Sequence, residues 1–82
     1  MDNKERFEVG YLPESRRLAR KFMNDNKDYC DSMNAIYVPY ARKNNFVDIE
    51  VLISIIIEQY GIGSIRKELE SDIETIKAKY TS

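Results

Sequence analysis

The chain has no histidine and no tryptophan, and only one cysteine, two prolines and three glycines among its 82 residues. Without histidine it lacks the commonest general base near neutral pH and the commonest zinc ligand. A lone cysteine, Cys30, permits no internal disulfide and no paired-cysteine metal or redox motif, and it points to a reducing compartment. The glycines make no phosphate-cradling loop. Gly61-Ile62-Gly63 lacks the third glycine and the lysine such loops need, and it reads as a helix joint. The most apolar tract offers only seven uncharged residues between Glu50 and Glu58, far short of the ~20 that span a bilayer. The charged opening MDNKERFEVG has no apolar signal core. The expectation is a cytoplasmic protein with no metal, no cofactor and no membrane insertion.

What is present is an ordinary globular balance, 43% hydrophobic and 33% charged, with a formal charge of −1. That charge gives no global pull toward nucleic acid or an anionic membrane. The halves differ: residues 1–45 hold 9 Lys/Arg against 7 Asp/Glu, or +2, and residues 46–82 hold 4 against 7, or −3. A chain this short buries only about 60–65% of its unfolded surface, so self-association is a common route to a larger core. Abundant Ile, Lys and Asn fit AT-rich coding, as in phages and low-GC bacteria.

Local patterns predict an all-α fold, a small bundle of three to four helices in a single domain spanning residues 1–82. Residues 1–12 read as a short extended arm, because Phe7, Val9 and Tyr11 alternate with Glu8 and Gly10. Pro13 and Glu14 suit the first turn of a helix. Leu18, Ala19, Phe22 and Met23 then share one face. The cluster Asn24-Asp25-Asn26-Lys27 marks an end or a bend, with Asp25 or Asn26 as cap for a second helix. That second helix carries Tyr29, Cys30, Met33, Ile36, Tyr37 and Tyr40 on its apolar face. Pro39 predicts a kink or stop near Tyr37, within a helical region over residues 13–45.

Residues 46–60 form an Ile-rich helix in this reading. Val47 to Val51 alternates as a strand would, but the polar residues Glu50, Ser54 and Glu58 recur every four positions and favour helix. Ile49, Leu52, Ile53, Ile56, Ile57 and Tyr60 make its main arc, and Val51 and Ile55 a second narrow stripe. After the glycine joint, with Ser64 as cap, residues 64–80 follow a 3.6-residue period. Their seam is Ile65, Leu69, Ile73, Ile76 and Tyr80, led by Ile62.

Chemistry finds little footing. Asp25, Asp28 and Asp31 are spaced to approach a hard cation, yet the glycine and distal glutamate of a calcium loop are missing, and first-turn carboxylates explain them more simply. Glu68, Glu70, Asp72 and Glu74 read as a solvated helix side rather than a catalytic pair. Cys30 stands between Asp28 and Asp31, a poor surround for a reactive thiolate. The expectation is that the protein is not an enzyme and has no catalytic residues.

Two features remain. Arg16, Arg17, Arg20 and Lys21 form a basic cluster that, with Tyr37 and Tyr40, is the candidate partner-binding surface. Val51, Ile55, Ile65, Leu69, Ile73 and Ile76 are the candidate oligomer interface, with homodimerisation completing the bundle. The functional expectation is a protein-binding regulatory module, of the kind phages and mobile elements use to inhibit or modulate a partner by covering its surface. The alternative is a small DNA-binding transcriptional regulator using the Arg16–Lys21 helix. The stretch after the glycine joint resembles a recognition helix only superficially, since Glu68, Glu70, Asp72 and Glu74 face phosphates badly.

Overall fold

The computed structural model describes residues 13–80, and the arm expected over residues 1–12 lies outside them. Four α-helices follow one another: α1 Pro13–Asp25, α2 Lys27–Asn44, α3 Ile49–Tyr60 and α4 Ile65–Tyr80. A short 3₁₀ turn, Ile62–Ser64, joins the last two. No strand occurs among the described residues, so the Ile-rich tract is helical. The molecule extends 37 × 33 × 18 Å, two helix layers thick.

Side-chain pairs fix the topology. Arg16 and Arg20 of α1 reach Glu50 in the first turn of α3, so these two helices begin at the same end. Tyr29 near the start of α2 meets Arg66 and Glu70 near the start of α4. At the far end, Phe46 just past α2 meets Tyr80 at the end of α4. The chain therefore runs up, down, up, down. The α1–α2 pair lies across the α3–α4 pair, α1 chiefly on α3 and α2 on α4.

Each boundary has a local cause. At Asn26 the chain bends between α1 and α2, but the side chain does not cap. Its amide donates to Phe22 O at 3.0 Å, and its backbone N–H donates to the same carbonyl at 2.9 Å. Helix α2 ends on Asn45, which adopts φ 57°, ψ 41° and lets Phe46 N–H close back on Ala41 O at 3.0 Å. Asp48 then caps α3 by accepting from Val51 N–H at 3.0 Å, a cap that the apolar pattern alone did not announce. Gly61 ends α3 at φ 92°, ψ 160°, and its N–H donates to Ile57 O.

Pro39 does not stop α2, which continues to Asn44. The residue four positions before it, Ala35, is exposed along with Pro39 itself, so the carbonyl that loses its helical donor faces water.

The core is Ala19, Cys30, Tyr37, Ile49, Ile53, Ile56, Ile57, Ile65, Leu69 and Ile73. Helix α1 contributes mainly small residues: Ser15 and Ala19, one turn apart, are its buried positions, and Leu18, Phe22 and Met23 pack partly against the core. Small side chains allow the close α1–α3 approach. Ser54 lies one turn beyond Glu50 on α3. It was expected at a polar edge, yet it is fully buried, with its hydroxyl donating to Glu50 O at 2.9 Å. Tyr60 and Ile62, expected on apolar faces, are instead 57% and 52% exposed, because the chain turns away at Gly61. Ile36 is also at the surface.

The joint makes a direct prediction. Gly61 holds a backbone conformation that is essentially glycine-only, so Gly61→Ala should cost ~1–3 kcal/mol in urea unfolding. Gly63 has ordinary backbone angles and open space around a would-be Cβ. Gly63→Ala should be neutral or stabilising by up to ~1 kcal/mol.

Candidate functional site

The basic cluster is dispersed into ion pairs. Arg16 donates from Nε and Nη2 to Glu50 Oε2 at 3.2 and 2.8 Å, with both side chains half-buried. Arg20 Nε lies 3.4 Å from the same oxygen. Arg17 is paired with Glu14, and Lys21 with Asp25. All four expected cations thus face a carboxylate, and Arg16 is tied into the α1–α3 contact. Arg17 and Glu14 strengthen each other's charged forms through their hydrogen bond, although both are fully exposed.

Tyr37 is a correction. Expected at a partner surface, it is 2% exposed, and its hydroxyl donates to Val47 O at 2.6 Å. The hydroxyl is satisfied inside the protein, so the ring can fill the space where the α2–α3 connection folds back. Burial, followed by the nearby Asp48 and Asp72 carboxylates, pushes this phenol up to about 12. Tyr40 remains half-exposed.

The expected oligomer interface also divides. Ile65, Leu69 and Ile73 are buried within the chain's own core and cannot meet a second copy. Their seam is covered by α2 and α3 of the same molecule. Val51, Ile55 and Ile76 are half-buried and stay accessible.

Ile55 and Ile76 line an apolar groove, and Val51 lies outside that lining, one turn before Ile55 on α3. The groove lies between α3 and α4 and encloses about 400 Å³, with Phe46, Val47, Leu52, Ile55, Ile76 and Tyr80 among its lining. The Phe46 and Tyr80 rings meet edge to face at 5.3 Å and close one end. Tyr37 stands beneath, and Thr75 and Lys79 form part of the α4 rim. The second stripe on α3 pointed to one wall of this groove. The other wall becomes visible only when the α3–α4 hairpin is paired.

A second cleft of about 540 Å³, lined by Asn34, Val38, Arg42, Asn45, Asp48 and others, is more polar. At the opposite end of the molecule, Arg66 lies 4.1 Å over the Tyr29 ring, donates to Asn26 Oδ1 at 3.0 Å, and leaves Tyr29 to donate to Glu70 at 3.0 Å. Burial and the Glu70 bond raise the Tyr29 phenol to about 12. This cluster joins the bend at Asn26 to α4.

The acidic series on α4 is not uniformly solvated. Glu70 is engaged by Tyr29 and Glu74 by Lys77, whereas Glu68 and Asp72 are half-buried. Burial, then the neighbouring Glu68 charge, raises the Asp72 carboxyl above its usual range. Cys30 is buried, and desolvation followed by Asp31 pushes its thiol up, away from the thiolate form. Asp25 and Asp31 are taken by lysines, and among the described residues no group of three or more metal-ligating side chains is assembled. No helix of the described residues is long and apolar enough to cross a membrane. Comparison with known protein families, curated proteins and solved structures gives no match to any of them.

Asp72 yields a pH prediction. Its folded pKa is raised, so the folded state favours the protonated acid. Stability from this group is therefore full at low pH and falls as pH rises through the window above about 4. Asp72→Asn should raise the melting temperature at pH 7 and change it little at pH 3. Equal shifts at both values, or a loss at pH 7, contradict the assignment.

Proposed function

We propose that this chain is a non-enzymatic protein-binding module that acts by covering a partner's surface, with the α3–α4 groove as its contact. The observation that carries this reading is that Ile55 of α3 and Ile76 of α4 stay accessible in a groove lined also by Leu52 and Phe46. Apolar surface of this form is costly to leave in water and is the usual mark of an interaction site.

The dispositions of the reactive groups agree with it. The one thiol is buried and held protonated, and the guanidinium groups of Arg16, Arg17 and Arg20 are engaged by Glu50 and Glu14. The same pairing lowers the standing of the Arg16–Lys21 helix as a phosphate-tracking surface, because each cation already faces a carboxylate. A regulatory or inhibitory role suits a module that offers a docking face and no reacting group.

Two substitutions one residue apart test this. Ile56 is 1% exposed and Ile55 is half-exposed in the groove. Burying an unpaired carboxylate costs several kcal/mol, against the ~5 kcal/mol such a small domain holds. Ile56→Asp should therefore unfold the chain, and Ile55→Asp should melt nearly as wild type by circular dichroism. Affinity capture from the source cells should retain at least one protein on wild-type bait that is lost on Ile55→Asp bait. Identical captured sets from the two baits contradict the groove as the contact.

A further inference from the structure

The groove carries a charge pattern as well as an apolar floor. Most carboxylates of the described residues are engaged: Glu14, Asp25, Asp31, Glu50 and Glu74 by cations, Glu70 by Tyr29, and Asp48 by the α3 cap. Asp28, Glu58, Glu68 and Asp72 have no hydrogen bond or ion pair with another described residue. The last three all belong to the two helices that build the groove.

Their positions follow from helical spacing. Glu58 lies one turn beyond Ser54 on α3 and outside the groove lining. Asp72 lies three, four and seven residues before Thr75, Ile76 and Lys79, which line the groove, and Glu68 is one turn further along the same face. Asp72 also acts on the Tyr37 hydroxyl beneath the groove. Lys79, the one cation among the lining residues, sits at the Tyr80 end, 5.6 Å from that ring. Along α4 the apolar strip thus has Glu68 and Asp72 toward one end and a cation at the other.

We infer that the α3–α4 groove receives an amphipathic helical segment of a partner protein, carrying apolar anchors on one face and lysine or arginine beside them. This rests on the reading of the groove as the contact. A helix is the fitting occupant, because the described residues offer no sheet edge for strand addition, and a helix satisfies its own backbone while laying side chains into a slot. Helix α3 is ~18 Å long, so the docked segment has about 12 residues. Cations on that segment meet Glu68 and Asp72, both half-buried and one helical turn apart on α4. Lys79 sets the direction: the segment's cationic part lies away from it.

Two synthetic peptides distinguish the components. Both carry the same leucine face at i, i+3, i+7 and i+10; one has lysines at the flanking positions and the other glutamates. Each is titrated into the isotopically labelled full chain, with methyl shifts recorded at ~50 mM and ~500 mM salt, where the screening length falls from about 14 to about 4 Å. The lysine peptide should move Leu52, Ile55 and Ile76, and it should weaken severalfold at high salt. It should also weaken about fivefold against a Glu68→Gln, Asp72→Asn double variant, which removes two pairings at the edge of the groove. The glutamate peptide should leave the groove untouched at the same concentrations.

Equal binding by both peptides at the groove, insensitive to salt, preserves the docking surface and overturns the basic partner. Dilution-dependent self-association that Ile55→Asp abolishes assigns the groove to a second copy and overturns the proposal. No shift at any groove methyl with either peptide overturns the proposal and the docking reading together.

Discussion

Everything in this fold depends on covering α3. Its buried positions, Ile49, Ile53, Ser54, Ile56 and Ile57, occupy much more than one stripe of a twelve-residue helix, so one neighbour cannot shield it. Helix α1 closes one side through small residues and the Arg16–Glu50 pair. Helix α4 closes another through Ile65, Leu69 and Ile73, and α2 brings Tyr37 and Cys30 in over the seam. A third side stays open, and it carries Val51 and Ile55. The groove is therefore the remainder of a packing problem that four short helices solve only in part.

The polar groups obey the same geometry. Glu50 is the half-buried acid at the α1–α3 contact, and two arginines gather on it, since a carboxylate removed from water needs compensation. Tyr37 reaches a carbonyl of the α2–α3 connection, and Tyr29 bridges to α4 beneath Arg66. These bonds tie the helices at both ends. The open side receives none of this service: Glu68 and Asp72 of α4 have no ion pair with a described residue. Burial, then the Glu68 charge, raises the Asp72 carboxyl above its usual range there, at a cost in stability at neutral pH.

Much of the architecture was legible in the residues. The helix opening at Pro13, the bend at Asn26 and the apolar period of Ile65, Leu69 and Ile73 all come from local rules, and the structure agrees. Period alone shows that a face is covered, and not by what, so the α4 seam read equally well as a contact between copies. Ser54 looked polar because its neighbours four residues away are glutamates; its burial is a tertiary effect that no local pattern carries. The Tyr37 face was correctly apolar, but the carbonyl that allows its burial lies ten residues on, in the connection to α3. The basic cluster was real as composition. Its partners Glu14 and Asp25 were local, whereas Glu50 required the tertiary fold. Of the groove lining, Ile55 and Ile76 were marked in advance as interface residues, and Phe46, Leu52 and Tyr80 were not.

The central claim is that the isoleucines of one short helix divide between a dry interior and a wet groove. Methyl relaxation measured with an inert, water-soluble paramagnetic agent tests it residue by residue in the intact chain. The account predicts slow enhancement at Ile53, Ile56 and Ile65 and several times faster enhancement at Ile55, Ile76 and the exposed Ile62. Protection of Ile55 and Ile76 equal to that of Ile53, in monomeric protein, contradicts it.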